Sequence, residues 1–331
     1  MVLRDSGHSK ESYIMIRKLL VVLCIMTLWG APAFARQSVT LSHDGMERSY
    51  LVQTAPPAFD GKRPLVILFH GGTQSARKVW KQTTLPEIAR EKGFVLIAPD
   101  AVDEVWNDGR DQYLSTPAAP TADDIGFVES LIEKAIADYD VDPARIYVTG
   151  ASNGGFMSFF VACKLSGAIA AAAPVIAIMT ESMAAQCAPD HPVSIQLIAS
   201  TNDPYVPFAG GEAKRKSKDG RIVGGHISAP DTIRFWAEKN ECSMDSLKSG
   251  LPDLSRRDRS TVRREEYPGC ANGVETVLYI VEGGGHQWPS LGKRRSSRLL
   301  RRLLGPKNRD IDSGALIWSF FENKQTADRT P

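Results

Sequence analysis

The sequence has no C-x-x-C pair and no two histidines four residues apart. Those absences remove the common spacings of a structural zinc site, so no metal or other cofactor is expected. No internal repeat and no low-complexity linker breaks the 331 residues, which excludes a solenoid or a string of small modules. No apolar run approaches the length of a bilayer span. The N-terminal run "LLVVLCIMTLW" has 11 residues, preceded by Arg17 and Lys18 and followed by "APAFA". Ala33 and Ala35 suit signal peptidase, so residues 1–35 read as a secretory signal peptide and 36–331 as one exported domain. No stable membrane insertion is expected after cleavage. An excess of one charge sign is also missing. Removing the four bases and two acids of residues 1–35 from 40 Lys+Arg and 38 Asp+Glu leaves 36 of each. A balanced surface gives no electrostatic case for a nucleic-acid partner.

Four cysteines remain after the leader: Cys163, Cys187, Cys242 and Cys270. An even set in an exported chain points to disulfides, and of the three connectivities the simplest joins neighbours, Cys163 with Cys187 and Cys242 with Cys270.

The 331 residues are 43% hydrophobic, enough for a large core. "SVTLSHDGMERSYLVQTAP" holds two extended runs around His43-Asp44-Gly45, the pattern of an antiparallel hairpin. Short apolar runs follow, among them "RPLVILFH", "GFVLIAPD", "RIYVTG", "VSIQLIAS" and "TVLYIV", as expected of strands covered on both faces. Helical stretches alternate with them. One is "DDIGFVESLIEKAIADYD", with Ile125, Val128, Ile132, Ala135 and Tyr139 at three- and four-residue spacing. Alternation behind a leading hairpin predicts an α/β fold: a three-layer sandwich with a mostly parallel central sheet. Residues 209–225 and 246–266 break the pattern and read as surface excursions.

Ser152 sits where the strand "RIYVTG" meets the helix "GGFMSFFVACKL", in the frame G-x-S-x-G. A tight strand-to-helix turn has no room for bulk at Gly150 or Gly154, and it thrusts the serine hydroxyl out at the carboxyl edge of the sheet. An ordinary glycine-rich turn is the bland alternative. A serine becomes a nucleophile only beside a base that a third group orients, and in this architecture the chain order is Ser, acid, His. Asp203 follows the strand "SIQLIAS", and His286 follows "TVLYIV" after three glycines. Rival bases are His43, His70, His191 and His226; rival acids are Asp231 and Glu282. Backbone N–H groups for a developing oxyanion are expected from Asn153, next to the serine, and from Gly72 or Thr73 in "LFHGGTQS". His70 is expected to brace that loop.

In order along the chain, "LFHGG", "GFVLIAPD", "WNDGR", "DDIGFV", "VDPARIYVTGASNGG", "NDPYVPF" and "GGGHQWP" resemble the secreted polyhydroxybutyrate depolymerases and the related feruloyl and acetyl-xylan esterases of the α/β-hydrolase fold. The resemblance spans about Ser38 to Phe321. It implies ester hydrolysis through an acyl-enzyme on Ser152 with Asp203 and His286 as partners, acting on a hydroxyalkanoate oligomer or an acylated plant sugar. Two departures bear on the substrate: Ser290 stands where relatives often have glycine, and "KRRSSRLLRRLL" is unusually basic. Because the domain fills the chain to the closing stretch "DSGALIWSFFENK", soluble oligomers and small esters are expected to be better substrates than crystalline polymer.

Trp106 and Trp288 fall on loops expected near the site, where either ring would line a substrate pocket, with packing as the plain alternative. Asp123 and Asp124 open a helix and are explained by capping. The stretch Lys293 to Arg302 reads as a solvated helix, with contact to a membrane or polyanion as its rival. Acyl transfer with the same triad and a non-catalytic binding protein on the same scaffold are the alternative functions.

Overall fold

The structure, a computed structural model, describes residues 36–54, 59, 61–110, 121–212, 225–291 and 297–326. The signal-peptide segment lies outside the described residues, as do Lys293, Arg294 and Arg295. From Arg36 onward the chain clusters as one unit.

The hairpin is present as β1 (Gln37–His43) and β2 (Met46–Gln53), closed by Asp44 and Gly45, both at positive φ. Two consecutive left-handed residues make a two-residue turn whose twist matches the strands, and Asp-Gly is suited to it. The remaining strands are β3 (Arg63–Phe69), β4 (Val95–Pro99), β5 (Val141–Ala151), β6 (Ala171–Val175), β7 (Ser194–Ser200), β8 (Leu247–Gly250), β9 (Thr261–Tyr267) and β10 (Thr276–Glu282). They form one sheet in the order β1-β2-β4-β3-β5-β6-β7-β10-β9-β8. The six strands from β4 to β10 in that order run parallel, flanked by antiparallel strands on each side.

Residues 246–266 are therefore not wholly a surface excursion: they supply β8 and most of β9. Their charges hid this. An edge ribbon keeps water on one side, so "VRREEY" alternates charge pairs with only Val262 and Tyr267 buried. Most of the other irregular stretch, 213–224, lies outside the described residues.

Alternation along the strands builds two cores. Leu65, Ile67 and Phe69 of β3 face one cluster, and Val66 and Leu68 face the other. Over the first face lie helices α3 (Asp124–Asp138), α4 (Asn153–Lys164) and α6 (Ala229–Lys239), contributing Phe127, Phe156, Phe159 and Trp236. Over the second lie α1 (Ala76–Val79), α2 (Leu85–Lys92) and α8 (Ser313–Phe321), contributing Val79, Leu85, Trp318 and Phe321. The short helices α5 (Glu181–Gln186) and α7 (Arg298–Leu304) complete the set among the described residues. The disulfides join Cys163 at the end of α4 to Cys187 just past α5, and Cys242 beyond α6 to Cys270 after β9. Cross-links closing loops of 24 and 28 residues each stabilise by about 3.5 kcal/mol in the chain-entropy account.

The elbow between β5 and α4 is where glycine is obligatory. A Cβ on Gly154 would overlap the carbonyl oxygens of Phe69 and His70, both backbone atoms that cannot swing away. Gly154→Ala is expected to cost about 3 kcal/mol or more by urea unfolding. Gly250→Ala, where an added Cβ meets nothing within 4 Å, should stay within about 0.5 kcal/mol. Equal effects would show that the elbow can open to admit a methyl group.

Candidate active site

Ser152, between β5 and α4, has φ 57° and ψ −123°, a conformation that L-residues rarely adopt and that costs on the order of 1–3 kcal/mol. The surroundings impose it. Its N–H donates to the Val175 carbonyl of β6 at 3.0 Å, and its carbonyl accepts from Gly155 and Phe156, so the residue is held from the strand side and the helix side at once. It stands at the carboxyl end of the parallel strands, at the N-terminus of α4.

β7 and β10 are parallel neighbours in the same sheet, and the loops leaving their carboxyl ends carry Asp203 and His286. The Asn202 N–H donates to Gly284 O at 2.9 Å, tying the two loops together. His286 Nδ1 donates to Asp203 Oδ2 at 2.7 Å. The second carboxylate oxygen, Oδ1, accepts the N–H groups of Tyr205 (2.8 Å) and Val206 (2.9 Å), which fixes the plane of the carboxylate. Asp203 is buried, whereas His286 is partly open to solvent and flanked by the Tyr205 ring at 5.1 Å. A buried acid with one oxygen saturated by backbone holds the imidazole in one orientation and leaves Nε2 at the far side of the ring.

The rival residues have other occupations. Ser228 caps α6 by accepting the Asp231 N–H and donates its hydroxyl to the Asp231 carboxylate, and Glu282 pairs with the exposed Arg263 of β9. His43 bonds Ser130 and Asp123, beside the first hairpin. His191 is exposed. His70 is buried, with Nδ1 on Gly71 O and Nε2 accepting from the Ala101 N–H, so it braces the loop after β3.

Asn153 opens α4, and its side chain is clamped on three sides. Oδ1 accepts the Trp106 N–H at 2.8 Å, while Nδ2 donates to Trp106 O and to Asp108 Oδ2. Gly72 backs directly onto it: a Cβ there would lie 3.7 Å from the Asn153 Cβ. The Thr73 N–H is committed to Glu104 O at 3.0 Å, so Gly72 is the better placed of the two loop residues expected to donate to an oxyanion.

The two tryptophans depart from expectation as substrate-lining rings. Trp106 is 0% exposed, edge-on to Phe69 with Nε1 donating to His70 O, and Trp288 is 6% exposed within the second core cluster. Both indoles have more apolar area to hide than a loop edge can leave in water, and both found core neighbours. Asp124 likewise does more than cap: Asp123 accepts the Gly126 N–H, but Asp124 is buried and holds Arg48 at 2.7 Å and the Asn107 N–H. Burial pushes its carboxyl up, with Arg48 opposing. Sequence reasoning missed Asp108. It is fully buried, bidentate to Arg110, and it anchors Asn153. An acid flanked by Asn and Gly within "WNDGR" was its only signal.

His226 is buried against Phe156, and burial, with Arg110 adding to it, pulls its pKa down to about 4. The ring stays neutral in the folded chain well below the pH at which it charges when unfolded. The unfolded state therefore binds the extra proton between roughly pH 6.5 and 4, and stability falls across that window as pH drops. Burial lowers the pKa of His70 in the same direction. Urea unfolding at pH 7 and at pH 4.5 should show His226→Gln recovering on the order of 2 kcal/mol of the acid loss. An unchanged pH slope in that variant would refute the assignment.

A centrally parallel sheet covered on both faces, with a strained serine elbow and an Asp-His pair at its carboxyl edge, defines the α/β-hydrolase fold. Residues 48–192 match the family model described as esterase PHB depolymerase, so this part of the chain is similar to that esterase family. The match includes Ser152 and ends before Asp203 and His286. Over 243 residues the chain is 28% identical to feruloyl esterase B of Piromyces equi, covering 70% of this chain and 41% of that protein. Over 263 residues it is 25% identical to feruloyl esterase D of Neurospora crassa, covering 76% and 77%. The acetyl xylan esterase from Aspergillus awamori superimposes with a TM-score of 0.57 at 13% identity, over 87% of this chain and 99% of that one, a likeness of fold. The chain thus spans less than half the length of the Piromyces protein. Among the described residues no helix is long and apolar enough to cross a membrane.

Proposed function

We propose that the protein is a secreted serine esterase that hydrolyses carboxylic esters through an acyl-enzyme on Ser152. The observation that carries this reading is the 2.7 Å His286–Asp203 bond on the loops after β10 and β7, two strands of the parallel sheet whose same edge bears the strained Ser152. His286 Nε2 takes the proton as Ser152 Oγ adds to the ester carbonyl, and Asp203 stabilises the imidazolium that forms. The oxyanion is received by the Asn153 N–H at the start of α4 and by the Gly72 N–H of the loop after β3. Collapse expels the alcohol, which takes the proton from His286. Water then adds to the acyl-enzyme by the same path, releasing the acid and restoring Ser152. Two disulfides support export, since such cross-links persist in oxidising compartments. The relatives' names support hydroxyalkanoate oligomers or feruloylated and acetylated sugars as the substrate class.

A hydrolysis screen tests this directly, comparing a soluble hydroxybutyrate trimer, methyl ferulate, an acetylated xylo-oligosaccharide and polymer granules. Saturable turnover of at least one soluble ester is expected, exceeding granule erosion per enzyme molecule. No hydrolysis of any of them by folded protein would refute an esterase, and transfer of the acyl group to added sugar or lipid alcohol in preference to water would assign an acyltransferase.

A further inference from the structure

The segment tied to the loop that carries His286 leaves an apolar face in water. From Gly283 to Arg309 the sequence carries eight Lys or Arg and no acidic residue. Within it α7 runs R-L-L-R-R-L-L. At helical spacing Leu299, Leu300, Leu303 and Leu304 share one face, and Arg298, Arg301 and Arg302 share the other. Packing against the domain would bury that leucine face. Instead Leu299 is 67% exposed, Leu300 43% and Leu303 51%, and no residue of the helix is buried. Seven residues do not hold a helix in water by propensity alone. Here Ser297 caps the start by accepting the Leu300 N–H, and the end is tied to the catalytic loop. The His286 N–H donates to Leu304 O at 2.6 Å, the Gly285 N–H to Pro306 O at 2.7 Å, and Gln287 Nε2 to Gly305 O at 2.6 Å. Leu291, just after the "GGGHQWP" loop, is a further exposed apolar side chain.

We infer that α7 is a docking element for an anionic lipid–water surface. Leucines on one face of a short helix and arginines on the other are what such a surface selects, because the acyl boundary takes the leucines while the arginines reach lipid phosphates. Charge complementarity chooses this occupant over a neutral one: Arg298, Arg301 and Arg302 on one face of α7 repel a second copy of that face and attract phosphate headgroups. The ties to residues 285–287 place the docked surface beside the loop that carries His286. Docking does not depend on the proposed chemistry, and it is read by binding alone.

The test is co-sedimentation of the full chain with mixed phosphatidylcholine–phosphatidylglycerol vesicles and with pure phosphatidylcholine vesicles. Binding to the mixed vesicles should be strong and should weaken with salt, and binding to the neutral ones should be weak. The double variant Arg301→Glu, Arg302→Glu should lower the partition coefficient by about thirtyfold or more, at roughly fivefold per arginine. Leu299→Ser with Leu303→Ser should lower it by about tenfold. Both variants should keep the parent's melting temperature and its rate on a short soluble ester, which separates failed docking from failed folding or failed chemistry. Absence of vesicle binding, or binding that both variants retain, would overturn the inference. So would self-association in sedimentation velocity that the leucine variant abolishes, or adsorption to polymer granules without vesicle binding.

Discussion

Ser152→Ala should lower ester turnover by about a million-fold, the scale of nucleophile removal in serine hydrolases whose triads act as a unit. The fold should survive it. Alanine meets the same backbone strain at φ 57° as serine does, and the hydrogen bonds that impose the turn run through the Ser152 N–H and carbonyl, not its hydroxyl. Circular dichroism and the urea midpoint should therefore match the parent. A fluorophosphonate should label Ser152 in the parent, giving the mass of one adduct on the peptide that contains "GASNGG", and should label nothing in the variant. Retained turnover in Ser152→Ala, or an adduct on another serine, would end the acyl-enzyme proposal.

Asp203→Asn carries the next largest expectation, a loss in kcat of about ten-thousand-fold if the serine-protease precedent transfers. The reason is local. Asp203 Oδ1 is held by the N–H groups of Tyr205 and Val206, so an asparagine in this pocket keeps its carbonyl oxygen there and turns its amide toward His286. An amide donor facing Nδ1 forces the proton onto Nε2, the atom that accepts it from Ser152 in the proposed mechanism. KM should move little, because the side chain is buried behind the imidazole and touches no substrate. Asp231→Asn, at the exposed start of α6, should leave turnover within about twofold and cost at most about 1 kcal/mol of stability as a weakened cap. Comparable losses in the two variants would mean that the acid has been misassigned.

Much of this was legible from the residues. The hairpin, the parallel core strands, the elbow and the order Ser152, Asp203, His286 are all local or ordinal features: a turn needs Asp-Gly, a doubly covered strand needs an unbroken apolar run, and a loop residue is placed by the strand that precedes it. The pairing of neighbouring cysteines was legible for a related reason, since each pair lies within a short stretch of chain. What could not be read was where each loop side chain goes after leaving the sheet. "WNDGR" looked like a substrate-facing loop, yet Trp106 turned inward beneath His70 and Asp108 took hold of Asn153, contacts between residues 36 and 45 positions apart. The charged run before β10 looked like loop because an exposed edge ribbon lacks the apolar signature of a buried strand.

The sequence by itself determined the architecture and the chemistry on offer, because periodicity, glycine placement and chain order act over a few residues and survive without knowledge of the rest. Only the tertiary structure decided which groups meet. It set His286 against Asp203 across 83 positions of chain, gave the Thr73 N–H to Glu104, and sent both tryptophans into the core. It also left the leucines of α7 in water. Such outcomes depend on competition for buried space and for hydrogen-bond partners among segments far apart in the chain, and that competition is resolved only when the whole core is packed.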